Sequence, residues 1–190
     1  MSKQIPFDKD MLKIGYFILY QSGQGWFGKQ IVKQQLKEGF TQEQAIYTHV
    51  ECSGGELDSI NVAPPRAERI NIIDVHSGRY AKVVRFKKYS SDNKRYKVAY
   101  FNASLNGSLY DAKGIMAFLA KRVPILVFLT EWLRKKNRFY FCSEASAWAL
   151  QKSYPKAFNG FPPTTIFPAD FLDPKQFEPV WEGYLPKRVS

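Results

Sequence analysis

Cys142 lies at the junction between an aromatic run and a run of helix-forming residues. Phe139-Tyr140-Phe141 is typical of a short extended segment, and the residues from Ser143 to about Lys152 predict a helix. A thiol at a helix N-terminus lies beside unpaired backbone N–H groups, and the helix dipole favours the thiolate over the thiol. The position therefore predicts a nucleophile that ionises readily. A free cysteine is also a common small core residue, so position alone leaves a structural role open.

A nucleophilic thiol needs a base, and His49 occupies the middle of a predicted strand, Ala45 to Cys52. Side chains alternate along a strand, so His49 shares a face with Tyr47 and Glu51. Imidazole is the usual general base in enzymes because its pKa lies near the working pH. A histidine in a strand is also often a hydrogen-bonded structural residue, so a catalytic role depends on what the fold brings to it.

A Cys-His pair needs a third group that fixes the tautomer and orientation of the imidazole. Asn61 is one candidate, because Leu57 to Val62 is predicted to form a hairpin with the strand of His49. Glu51, two residues from His49 on the same strand, is the other. Cross-strand neighbours lie closer than i, i+2 neighbours, which favours Asn61. His76, the second histidine, falls in a predicted turn and is given little weight as the base.

The pattern around these residues predicts an α+β fold in one domain, residues 1–190, in which helices pack on an antiparallel sheet. Apolar and alternating runs predict strands at Ile14–Tyr20, Ala45–Cys52, Leu57–Val62 and Tyr80–Phe86. Helical spacing and caps predict helices at Trp26–Leu36, Ser91–Leu105, Asp111–Leu119, Ile125–Leu133 and Cys142–Lys152. The residues 155–190, rich in proline and aromatic side chains, predict an irregular C-terminal arm.

The charge balance is strongly basic, with 28 lysines and arginines against 17 aspartates and glutamates and a formal net charge of +11. This excess favours anionic partners such as nucleic acid or an anionic lipid surface, and it equally fits a well-solvated surface. The chain starts without the apolar segment of a secretory signal, and its two cysteines fit a reducing compartment, so a cytoplasmic location is expected. No clustered set of metal ligands is visible in the sequence, and no cofactor is expected.

Five short segments follow one another in a fixed order: Gly15-Tyr16-Phe17-Ile18-Leu19, Tyr47-Thr48-His49-Val50-Glu51, Gly107-Ser108-Leu109-Tyr110-Asp111, Phe141-Cys142-Ser143-Glu144 and Phe167-Pro168-Ala169-Asp170-Phe171-Leu172. Together they resemble the circularly permuted NlpC-like cysteine hydrolases of the papain fold, in particular their YiiX-like branch. The similarity spans roughly Gly15 to Leu172. Tyr16 stands where the family usually has aspartate, and Asn61 stands where the branch often has glutamate.

The resemblance implies a papain-like fold in which Cys142 is the nucleophile, His49 is the base and then the acid, and Asn61 is the orienting residue. It also implies cleavage of an amide or ester bond through a thioester, in a small molecule, a lipid or a cell-wall peptide. Asn61 would contribute no negative charge to His49, so the alternative is a catalytically weak or inactive module that binds an anionic lipid or nucleic acid through its basic, aromatic-rich surface. Nucleic acid is the less expected ligand, because no nucleic-acid-binding motif is present.

The composition of the segment 114–138 gives an indication of the substrate class. It is strongly apolar and carries the basic clusters Lys121-Arg122 and Arg134-Lys135-Lys136. Such a segment fits an acyl pocket or a helix at an anionic membrane interface, which favours an acyl-lipid-like substrate and peripheral membrane contact. Plain packing of the segment against the sheet fits equally well.

Overall fold

Eight strands form one sheet in the computed structural model, which describes residues 6–21, 25–110 and 139–188. The strands are β1 Phe17–Gln21, β2 Tyr47–Gly55, β3 Asp58–Ala63, β4 Arg66–Asn71, β5 Tyr80–Phe86, β6 Leu109–Tyr110, β7 Phe139–Tyr140 and β8 Phe177–Tyr184. Their order across the sheet is β7-β6-β4-β3-β2-β1-β5-β8, and every neighbouring pair is antiparallel except β6 and β7. The predicted α+β class with a largely antiparallel sheet is confirmed.

The α-helices of the described residues are α1 Trp26–Lys37, α2 Gln42–Ala45, α3 Ile72–His76, α4 Asp92–Ala103 and α5 Cys142–Ser153, and a short 3₁₀ helix, Lys9–Met11, precedes β1. Helices α1, α4 and α5 agree closely with their predicted bounds. The helices predicted at Asp111–Leu119 and Ile125–Leu133 lie outside the described residues. Within the described part of the chain, no helix has both the length and the apolar character needed to cross a membrane.

Strand β1 lies inside the sheet, between β2 and β5, and its alternating side chains divide the core into two layers. Phe17 and Leu19 pack with residues of α4 and α5 on one face. Ile18 and Tyr20 pack on the opposite face, with α3 and β8. All four side chains are fully buried, as expected for a strand covered on both sides. Burial of each contributes about 1.5–3 kcal/mol relative to exposure.

Strand β1 begins later than predicted, because the chain turns at Gly15. The φ angle of Gly15 is +78°, and a Cβ atom there would lie 2.7 Å from the backbone oxygen of Arg95. Glycine alone adopts this conformation readily and permits so close an approach of another backbone. The turn directs the following residues into the sheet.

The C-terminal arm is only partly irregular. It starts with three short 3₁₀ helices, Ala157–Gly160, Pro163–Thr165 and Pro168–Leu172. It ends in β8, which pairs with β5 at the edge of the sheet and was not predicted. Pro179 interrupts the sequence pattern that would predict this strand. A proline is tolerated here because β8 is an edge strand, and because the register with β5 shifts between Val83 and Val84, next to Pro179.

Gln35 connects α1 to the start of β2 and to the C-terminal arm through side-chain hydrogen bonds. Its side chain is fully buried and donates to the backbone oxygens of Ala45 and Tyr47 at 2.7 and 3.0 Å. Its amide oxygen accepts from the backbone N–H of Ala169 at 2.9 Å. Because buried backbone groups without partners are costly, these bonds fix β2 relative to α1 and to the C-terminal arm.

We expect Gln35→Leu to lower the free energy of unfolding by about 3 kcal/mol, since three buried backbone groups lose their partners. Chemical denaturation measures this loss. Gln34→Leu is the control, because Gln34 is partly exposed and bonds the exposed Glu38, so its replacement should cost less than about 0.5 kcal/mol. Equal stability of the two variants would show that the Gln35 bonds do not hold β2 in place.

Candidate active site

Helix α5 begins at Cys142, as the sequence predicts. The helix lies close to the sheet because Ala145 and Ala149 are fully buried on its inner side. Ser143 anchors the first turn by donating from its hydroxyl to the backbone oxygen of Ile166 at 2.6 Å. The Cys142 sulfur therefore lies at the N-terminus of a 12-residue helix, where backbone N–H groups and the helix dipole favour negative charge.

The sheet opens where α5 meets it. The ladder between β2 and β3 ends at the pair Cys52↔Ile60, and beyond this pair β3 continues beside β4. The part of β2 before Cys52, which includes His49, therefore has no ladder pairing with β3. The backbone N–H groups of Val50 on β2 and of Ser143 on α5 lower the pKa of the Cys142 thiol, so the sulfur lies beside this part of β2.

His49 lies on β2 next to this opening, and 18% of its side chain is exposed. Its Nε2 atom is 3.0 Å from Oε1 of Glu51, and His49 lines the same cleft as Cys142, whose thiolate raises the pKa of the imidazole. Because Nε2 is committed to Glu51, Nδ1 is the nitrogen available to exchange a proton with the sulfur. The fold therefore brings the predicted nucleophile and the predicted base into contact.

The electrostatics of this pair favour a thiolate and an imidazolium. Burial opposes the charge on His49, but the Cys142 thiolate and the Glu51 carboxylate together raise the pKa of His49 above its ordinary value. Burial likewise opposes ionisation of Cys142, but the imidazolium and the backbone N–H groups of Val50 and Ser143 bring the pKa of the thiol below its ordinary value. At a pH between the lowered pKa of Cys142 and the raised pKa of His49, the expected state is therefore a thiolate paired with an imidazolium.

Glu51 is completely buried, and donors approach both of its carboxylate oxygens. Oε1 accepts from Nε2 of His49 at 3.0 Å and from Nε2 of His76 at 2.7 Å. Oε2 accepts from the hydroxyls of Ser59 at 2.5 Å and Tyr20 at 3.3 Å. Burial would raise the pKa of Glu51, but the hydrogen bonds from the two histidines hold it far below its ordinary range. The group that orients His49 is therefore an ionised carboxylate.

Asn61, the orienting residue preferred from sequence, makes no hydrogen bond to His49 in the described structure. The register Cys52↔Ile60 would, if continued, set Asn61 opposite Glu51, and β3 leaves β2 at this point. Oδ1 of Asn61 is buried without a hydrogen-bond partner among the described residues. The predicted contact across the hairpin is wrong because the ladder ends too early. Glu51, the alternative, makes the contact from the same face of β2.

His76 has little weight in the sequence, yet it is the second histidine on Glu51. It ends the short helix α3, which Asn71 caps, instead of lying in the predicted turn. Its Nδ1 atom is 3.1 Å from Nη1 of Arg79. The contact with Glu51 depends on β3, β4 and α3 returning the chain to β2, and no local pattern reveals that return.

The cluster of His49, Glu51 and His76 has the composition of a metal site, and its ligand atoms lie within 4.8 Å of one another. Arg79, however, has only donors, so Nδ1 of His76 is an acceptor and Nε2 carries the proton. A metal ion would need the lone pair of Nε2 and would leave an N–H group facing the guanidinium. The protonation pattern fits a hydrogen-bonded chain better than a metal centre.

Cys142 and His49 open into a cleft of about 240 Å³. One wall comes from the start of α1, with Phe27 and Ile31, and another comes from the end of β3, with Val62. No acidic residue, lysine or arginine is among the described residues that line the cleft. The two reactive groups are therefore reached from a small pocket of apolar character.

Cys52 provides an internal comparison for Cys142. Neither cysteine forms a disulfide. Cys52 is 2% exposed and packs in the core between the sheet and the helices, where burial raises the pKa of its thiol well above the ordinary range. The same residue type is thus a small core side chain at one position and lies beside an imidazole at the other.

No family model matches the chain, and no curated protein shows significant similarity to it. The resemblance to NlpC-like hydrolases rests on the short motifs and remains a prediction. What the site can do is decided by its own residues: a thiol and an imidazole that line one apolar cleft, and an ionised carboxylate that is hydrogen-bonded to the imidazole.

Proposed function

We propose that this chain is a thiol hydrolase that cleaves an amide or ester bond through a thioester on Cys142. The observation that carries the proposal is the arrangement of three residues: Cys142 lies at a helix N-terminus, His49 lines the same cleft, and Glu51 bonds the imidazole at 3.0 Å. A nucleophile beside a base that a third group orients is the arrangement of triad hydrolases. The order along the chain, with the nucleophile last, supports the finer hypothesis of a circularly permuted, papain-like fold of the NlpC type.

The ionised carboxylate supports a catalytic site over an inactive binding module. That alternative arose because Asn61 would add no charge to His49, and Glu51 supplies the missing charge. Holding an ionised carboxylate in a fully buried position is costly unless donors surround it, and here they do. Strongly shifted pKa values in a cleft are typical of catalytic groups.

In the proposed mechanism the Cys142 thiolate attacks the acyl carbon, and the carbonyl oxygen becomes an oxyanion. The backbone N–H of Cys142, one of the groups that a helix start leaves unpaired, donates to this oxyanion. His49 passes its proton to the leaving amine or alcohol as the bond to the acyl carbon breaks, which leaves a thioester. The neutral His49 then takes a proton from the water that attacks the thioester, and the acid and the thiolate are released. Glu51 stabilises the imidazolium in both steps.

The cleft supports an uncharged, apolar acyl group as the part of the substrate beside the sulfur. Phe27, Ile31 and Val62 line the same cavity of about 240 Å³ as Cys142. A charged group placed against these side chains would lose its hydration without gaining a partner. An acyl-lipid-like substrate therefore fits better than a charged peptide. The apolar segment 114–138 lies outside the described residues, so its part in binding the acyl group stays a prediction.

A series of p-nitrophenyl acyl esters tests the proposal. We expect a burst of p-nitrophenolate and a single acyl group on Cys142, located by peptide mass mapping and removed by hydroxylamine. Cys142→Ala should lose the adduct and slow turnover by at least about 10⁴-fold. Cys52→Ala, the matched control, should acylate like the wild type. An adduct on another residue, or undiminished turnover in Cys142→Ala, would contradict the proposal.

A further inference from the structure

His76 bonds the same oxygen of Glu51 as His49 does, but it is not among the described residues that line the cleft of Cys142. Its side chain is 5% exposed, and its Nε2 lies 2.7 Å from Oε1 of Glu51, closer than the 3.0 Å of His49. The ring stacks on Tyr20, with the ring centroids 4.1 Å apart. The described titratable and charged groups that face it are Glu51 and His49 of β2, Tyr20 of β1, and Arg79.

Arg79 determines which nitrogen of His76 carries the proton. Its guanidinium lies 3.1 Å from Nδ1 of His76, donates to the backbone oxygen of Gln21 at 3.0 Å, and lies over the ring of Tyr20 at 5.2 Å. A guanidinium can only donate, so Nδ1 must accept. The proton of neutral His76 is therefore on Nε2, directed at Glu51. The contacts of Arg79 with Gln21 and Tyr20 hold it in place independently of His76.

We propose that His76 and Arg79 are positioning residues of the Cys142 site: Arg79 fixes the tautomer of His76, and His76 holds the Glu51 carboxylate ionised and directed at His49. This inference rests on the proposed function, because it assigns a role within the same site. Both oxygens of the carboxylate already accept two hydrogen bonds each, so the group cannot rotate without losing a donor.

Loss of the His76 donor has a consequence at Cys142, which lies three contacts away through Glu51 and His49. Oε1 of Glu51 would be left with His49 alone, and the ionised carboxylate would be less stable in its buried position. The proton shared with His49 would lie closer to Glu51, so the imidazolium that stabilises the thiolate would be weakened. Loss of the His76 hydrogen bond should therefore change the pH at which Cys142 ionises, whereas a substitution that only disturbs packing should leave that pH unchanged.

The test is the pH profile of Cys142 alkylation by iodoacetamide in the full chain carrying Cys52→Ala. We expect His76→Leu to react on the order of tenfold more slowly than this parent near about pH 6, and to approach the parent rate in alkali, where any thiol ionises. Arg79→Met should shift the profile in the same direction, because the tautomer of His76 is then no longer fixed.

Two variants serve as controls for this profile. His76→Gln should restore it, since the amide N–H of glutamine can donate from the position of Nε2 and its oxygen can accept from Arg79. Ile72→Val changes a fully buried side chain on the same helix. It should cost about 1 kcal/mol of stability and leave the profile of the parent unchanged.

A profile of His76→Leu that overlays the parent profile would overturn the inference. If the His76 variants do not fold, nitrogen NMR of the wild type decides, because the sequence has two histidines and His49→Gln identifies the remaining one. A proton on Nε2 of neutral His76 supports the inference, and a proton on Nδ1 overturns it. An ordinary thiol profile in the parent protein would instead overturn the proposed function, so the two failures are distinguishable.

Discussion

Replacement of Glu51 by glutamine is expected to slow acylation of Cys142 by about 10⁴-fold, the scale on which orienting carboxylates act in triad enzymes. The glutamine oxygen can still accept from both histidines, and its amide group can donate to the hydroxyls of Ser59 and Tyr20. Size and hydrogen bonding are therefore preserved while the negative charge is removed. The burst rate with p-nitrophenyl esters measures the effect, and a melting curve shows that the variant is folded.

Asn61→Ala is the matched control for this experiment, because Asn61 is the orienting residue that the sequence favours. We expect it to acylate at a rate close to that of the wild type, since Oδ1 of Asn61 has no partner among the described residues. The reverse outcome, a slow Asn61→Ala and a fast Glu51→Gln, would contradict the role assigned to Glu51.

Iodoacetamide at about pH 6.5 is expected to alkylate Cys142 on the order of a thousandfold faster than Cys52 in the native protein. The thiolate is the reactive form, and His49 lowers the pKa of Cys142 whereas burial raises that of Cys52. Both side chains are buried, with 2% of Cys52 and 5% of Cys142 exposed, but Cys142 lines the cleft and Cys52 does not. Peptide mapping over time measures both rates in one sample.

Two further conditions sharpen the comparison of the two thiols. In denaturant both cysteines should be alkylated at the same rate, which would show that the difference between their rates depends on the folded structure. His49→Ala should remove most of the advantage of Cys142, because the cation that stabilises the thiolate is lost. Equal alkylation of both thiols in the native protein would contradict the ion pair.

The positions of Cys142 and His49 could be predicted from sequence because their signals are local. An aromatic run followed by an alanine-rich helix places Cys142 at a helix start, and that boundary is observed. The alternation of β2 places His49 and Glu51 on one face, and they are in contact. Both features depend on residues a few positions away, where helix and strand periodicity is informative.

The residue that contacts His49 could not be chosen correctly between Asn61 and Glu51, because the choice depends on where a ladder ends. A hairpin pattern indicates that β2 and β3 are neighbours but does not show that they separate after Cys52↔Ile60. That separation makes room for α5 and removes Asn61 from His49. His76 is a similar case: its contact with Glu51 bridges 25 positions through two strands and a short helix.

The central claim is that Cys142 and His49 form a thiolate–imidazolium pair, and a pH titration of thiolate ultraviolet absorbance in Cys52→Ala protein tests it most directly. We predict that the thiolate is present near about pH 6, below the range in which an ordinary cysteine ionises, and that His49→Ala abolishes the signal at the same pH. Absorbance that rises only above about pH 8, and that does not change in His49→Ala, would contradict the pair and the proposed hydrolase.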